Sequence, residues 1–174
     1  FFGPVRGQVR ALNDTGSADA APFAAALAEL KTLWTADDQA EEQRKRQQLE
    51  ALNHAERRQE LADQIAWEIS LRPDVFNAPG IVLDFLYGPW SLVIASAELQ
   101  HPEEGPDPMG YRKVIGQLLW STHSQVTLRQ PNQLFQIVPG MLMSLRQGLE
   151  SLGKSPEENQ TFFDALLKLH EPVL

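Results

Sequence analysis

An all-α fold, an irregular bundle of about six or seven helices, is what the sequence predicts, on two observations. Apolar residues recur at spacings of three and four along most of the chain. No stretch alternates apolar and polar residues between turn dipeptides, as a half-buried strand would. One helix is long and charged, and one central apolar helix carries a Gly-Pro kink.

In chain order, "FFGPVRGQVRALND" is short and reads as the end of a helix, and "TGSAD" as a polar linker. Residues 1–18 are therefore expected to be an N-terminal fragment and linker, and residues 19–174 a single helical domain. Asp19 offers an N-cap and Pro22 suits a first turn, where its missing N–H costs nothing. Phe23, Leu27, Leu30 and Trp34 then share one face. Thr35 with Asp38 signals a second start. From Ala36 to Glu60 charge dominates and Glu41–Lys45 pairs at i,i+4, as on a solvated face. Leu61, Ile65 and Ile69 predict that this helix packs at its back, and Arg72-Pro73 ends it.

Ile81–Leu99 is the longest apolar run and nears the length of a membrane span. Asp84, Glu98 and the Gly88-Pro89 break argue instead for a buried bundle helix, with no membrane span in this chain. Pro89 cannot donate to the Phe85 carbonyl, so a kink or a helix junction is expected, with Trp90 as its filler. A buried indole N–H there would need a partner. "HPEEGPDPMG" is a loop without calcium-loop spacing. Tyr111, Val114, Ile115, Leu118 and Leu119 form a clean stripe, and "STHSQVTLRQPNQ" is a loop or frayed turn. Pro131 opens a helix that faces Leu134, Phe135, Val138, Leu142, Leu145, Leu149 and Leu152 inward. Pro139-Gly140 should kink it, and Gly153 is placed as its C′ cap. Ser155-Pro156-Glu157-Glu158 is the best helix boundary in the chain. The last helix is expected to bury Phe162, Phe163, Leu166, Leu167 and Leu169, and Pro172 closes it.

Composition narrows the function. Apolar residues are 43% of the chain, enough for a core, and the formal net charge is −8. That balance argues against nucleic acid and anionic membrane surfaces as partners. With no cysteine, disulfides, thiolate nucleophiles and cysteine zinc sites are excluded, and a cytoplasmic home is expected. A first residue of Phe rather than Met suggests a piece of a longer protein. No phosphate-binding glycine loop, nucleophile elbow or H-E-x-x-H motif occurs. The histidines His54, His101, His123 and His170 are isolated, so neither metal nor cofactor is expected. The four tryptophans read as core anchors.

Arg6-x-x-x-Arg10 has the spacing of the arginine pair of PilZ domains, but the strand motif and β-barrel that go with it do not follow. One constellation could carry chemistry: Asp84, Trp90, Trp120, Arg146 and His170, converging from different helices at the kink. There Asp84 would be a buried acid, or an ion-pair partner of Arg146.

"DFLYGPWSLVIASAEL", "VIGQLLWS", "LFQIVPGMLMSLRQGL" and "FFDALLKLH", in this order and spacing, resemble the bacterial domain-of-unknown-function family 1631 over about Ala62 to His170. The resemblance implies a helical protein with no established activity. Some members carry a separate PilZ domain, which implies a link to cyclic-di-GMP signalling through a domain outside this chain. Others carry the label thymidine phosphorylase, which no glycine loop or α/β pattern supports here. Two functions are thus expected of such a chain. The first is a non-enzymatic interaction or regulatory module, bound to a protein partner or to itself. The second is a small-molecule-binding protein or enzyme with its site around Asp84 and Trp90.

Overall fold

Seven α-helices from Ala21 onward, helical residues at 3, 5–7 and 9–10, and no strand are found among the residues described by the computed structural model, which are 3, 5–7, 9–10, 21–155 and 157–171. The irregular bundle expected from helical spacing is therefore the observed fold. The chain divides into two compact units, Phe1–Asn53 and His54–Leu174. That division falls inside a helix, where the sequence has no Gly or Pro to mark it. The expected boundary after residue 18, the Asp19 cap, Pro156 and Pro172 lie outside the described residues, and so does the Pro22 side chain.

The helix α1 (Ala21–Ser70) passes through Thr35 without a break, so the second start expected there does not occur. The Thr35 hydroxyl donates back to the Lys31 carbonyl at 3.0 Å and the Thr32 carbonyl at 2.9 Å, which satisfies it inside a continuous helix. No Gly or Pro lies between Trp34 and Asp38 to interrupt it. In the first unit Phe23, Leu27 and Trp34 are exposed, Ala26 is buried, and Lys45 pairs with Glu41 at 2.7 Å. In the second unit Ile65 and Ile69 are buried. The helix thus packs at its back, as its apolar spacing predicts.

The apolar run forms α2 (Gly80–Phe85), a π turn over Leu86–Trp90, and α3 (Ser91–Gln100). The π turn is the structural answer to Pro89. An α-helical register would ask Pro89 for an N–H it does not have, and i→i+5 spacing hands the Phe85 carbonyl to the next residue instead. The Leu86 carbonyl receives both the Ser91 N–H and, at 2.7 Å, the Ser91 hydroxyl. Residues on every side of α3 are buried: Val93, Ile94, Ala95, Ser96 and Ala97. Gly80–Gln100 is long and apolar enough to cross a membrane by length and composition; its most apolar 18 residues have a mean hydropathy of 1.4, and 56% of them are buried inside the fold.

Around it stand α4 (Tyr111–Ser121), the short α5 (Ser124–Thr127), α6 (Pro131–Ser151) and α7 (Gln160–His170). All five residues of the α4 stripe are buried. The α6 helix continues through Pro139-Gly140 and ends as expected. Gly153 has φ +70°, its N–H reaches the Glu150 carbonyl at 2.9 Å, and the Lys154 N–H reaches the Leu149 carbonyl at 3.1 Å. Those two bonds are the Schellman pair. Ser155 caps a 3-10 turn, Glu157–Asn159, by accepting the Glu158 N–H at 3.3 Å, so α7 begins later than its capping signal.

Two expected core residues are on the surface. Phe135 is 50% exposed and Leu167 57%. The buried face of α6 is instead Leu134, Met141, Leu145, Gly148 and Leu149. Where almost every turn of a helix carries two apolar residues, spacing alone does not say which one faces in.

Candidate functional site

The π turn sets the inner geometry. Trp90 is completely buried, and its indole Nε1 donates to the Tyr111 carbonyl at 3.2 Å. Its ring meets Tyr111 edge-on at 5.3 Å, and the Phe85 ring lies 6.0 Å away. Phe85 in turn stacks on Phe162 at 3.7 Å, which ties α2 to α7. Gly148 of α6 completes the enclosure. A Cβ there would lie 2.7 Å from Val93 Cγ1 and 2.9 Å from Trp90 Cζ3. Trp90 therefore does fill the space beside Pro89, with its N–H satisfied.

The other members of the proposed constellation do not join it. Asp84 is exposed and makes no ion pair with Arg146. The expectation of a buried acid is corrected by position: Asp84 is exposed, as is Gly80 one turn before it, while Val82 and Phe85 of the same helix are buried. Arg146 is exposed on α6, with its guanidinium 5.9 Å from the centre of the Phe163 ring. Trp120 is half-buried at the end of α4. His170 is buried, near the Ser121 backbone, and its Nε2 has no hydrogen bond among the described residues. The core-anchor reading holds for Trp90 alone in full, since Trp67 is 64% exposed and Trp34 40%.

Burial pulls the His170 imidazole below its ordinary value of 6.5, partly offset by the Ser121 backbone. The consequence for stability has a definite sign. Above 6.5 the ring is neutral in both folded and unfolded chains. Below it the unfolded chain takes up the proton first, so stability falls as pH drops toward the lowered folded value. Urea midpoints measured from about pH 8 to about pH 5.5 should fall more steeply for the natural chain than for His170→Leu. Parallel slopes would show that His170 is not the group responsible.

Glu98, the second acid of the apolar run, is held by Arg112. The guanidinium reaches Glu98 at 2.8 Å and Glu68 at 2.7 Å, while the Arg112 N–H donates to Asp107 at 3.0 Å. One arginine thereby joins the end of α1, α3, α4 and the loop before it. A polar cleft of about 270 Å³ lies at the other end of α4, lined by Asn77, Thr122, His123, Ser124 and Gln125. Nearby, Arg72 grips Asp74 at 2.6 Å and holds its carboxyl below the usual range, with His123 adding to the effect.

A larger open feature of the second unit is the outer face of α6. Pro139, Leu142, Met143, Arg146, Gln147 and Glu150 line a shallow groove of about 530 Å³. It continues into a cleft of about 290 Å³ between α6 and α7, floored by Leu149 and Phe163 and edged by Arg146, Glu150, Lys154 and Gln160. Met143 is 71% exposed. Of the five residues proposed from sequence, Arg146 alone lines these cavities. The groove could have been suspected from Pro139 and Met143, four residues apart on one face, but the stronger inward stripe of the same helix hid that signal.

The profile of "Protein of unknown function (DUF1631) third domain" matches residues 40–167, more than half of the chain. The chain belongs to this family. The match begins within α1 and runs almost to the end of α7, so the DUF1631 third domain contains the π turn, the Arg112 junction and the α6 groove. Neither a curated protein nor a solved structure matches the chain.

Proposed function

We propose that this DUF1631 domain is a non-enzymatic helical interaction module of a larger cytoplasmic bacterial protein. The observation that supports it is the groove on α6, where Pro139 and Met143 stay exposed on a helix whose other face is core. An apolar stripe of this kind, edged by charge, fits the side of another helix. The alternative, a small-molecule site or enzyme at the π turn, has less support, because Trp90 occupies that space and Asp84 lies in solvent. A regulatory role in cyclic-di-GMP signalling would run through a PilZ domain outside this chain.

A photo-crosslinking amino acid placed at position 143, in cells, tests the proposal, with position 84 as an exposed control. The expected result is a reproducible protein adduct from position 143 and none from position 84. Adducts from both positions, or from neither, would sink the interaction-module reading.

A further inference from the structure

We propose that the occupant of the α6 groove is a second copy of this chain, docked through the C-terminal end of α6 and the turn after it, in antiparallel order about a two-fold axis at the level of residue 148. This inference rests on the interaction-module reading and names the partner.

The charges set the register. Arg146 and Glu150 lie one turn apart on the outer face, both exposed, and neither makes an ion pair with a described residue of its own chain. Arg preceding Glu by four is also the weaker order for pairing within a helix. In an antiparallel two-fold pair, residues i and i+4 exchange places across the axis. Arg146 of each copy then faces Glu150 of the other, and the contact is made twice. A parallel copy in register would set like charges against each other. Self-complementarity is what an isologous interface requires.

The apolar groups agree with that register. Met143 lies one turn before Arg146, so it falls opposite Gly153 of the second copy. Its neighbour Lys154 edges the cleft floored by Leu149 and Phe163. A thioether is long, unbranched and favourable against an aromatic ring, which suits a narrow cleft with Phe163 in its wall. A small anion fits the same cleft poorly, because Glu150 lines it and Lys154 is already engaged with Glu158 at 2.9 Å. Desolvated Met143 would supply most of the affinity and the charges the orientation.

Sedimentation equilibrium on the full chain over a wide concentration range is the test, with circular dichroism confirming that each variant is folded. The natural chain should form a reversible dimer. Arg146→Glu and Glu150→Arg should each weaken it by roughly tenfold or more, since each places like charges together twice. The double variant carrying both reversals should restore it. Met143→Asp should abolish it. A monomer at every concentration, or a dimer indifferent to these substitutions, overturns the proposal. A monomeric chain that still forms adducts with other proteins from position 143 would overturn self-docking and leave the interaction-module reading intact. A monomer with no adducts would overturn both.

Discussion

Trp90→Ala is expected to destabilise the fold by about 3–5 kcal/mol, measured as the loss in unfolding free energy in urea. The side chain is completely buried and touches three other elements: Tyr111 at the start of α4, Phe85 of α2 and Gly148 of α6. Truncation would empty the volume beside the π turn and remove the donor from the Tyr111 carbonyl. Collapse into the vacancy is hindered because Pro89 prevents the turn from tightening to α geometry. A loss below about 1 kcal/mol would show that the site is loosely packed and that the π turn does not depend on the indole.

Gly148→Ala carries the second large effect, and its sign is contrary to helix propensity. On an exposed helix, alanine would gain about 1 kcal/mol over glycine. At position 148 the new methyl would sit 2.7 Å from Val93 Cγ1 and 2.9 Å from Trp90 Cζ3, closer than carbon atoms approach. Val93 and Trp90 are both fully buried, so neither can swing into solvent. Overpacking typically costs about 1–3 kcal/mol, which should outweigh the propensity gain. Thermal unfolding of Gly148→Ala, Val93→Ala and the double variant would check this, because relief of the clash predicts a double variant more stable than additivity allows. A stabilised Gly148→Ala would refute the close approach of α6 to α3.

These two positions also show how far the sequence could be read. Trp90 was legible as the filler of a proline break, because a missing N–H and a bulky ring nearby are local facts. Gly148 was not. The glycines that attract attention in the sequence are Gly88 and Gly140, beside prolines, and a Cβ at either would meet nothing within 4 Å. Gly148 lies in an unremarkable helical stretch and is constrained only by another helix. Asp84 followed the same rule in reverse. Its apolar neighbours suggested burial, yet whether a helix face is covered depends on where the neighbouring helices lie.

The sequence by itself determined the all-α class, the ends of most helices, the Schellman cap at Gly153 and the need for an irregular turn at Pro89. All of these follow from backbone chemistry within a few residues. Tertiary structure alone decided which of two apolar stripes on α6 turned inward, that Arg112 would hold Glu98 and Glu68 together, and that Asp84 and Arg146 would stay apart in solvent. Each of those is a choice between locally equivalent faces. It is settled by contacts between residues far apart in the chain, which no local pattern encodes.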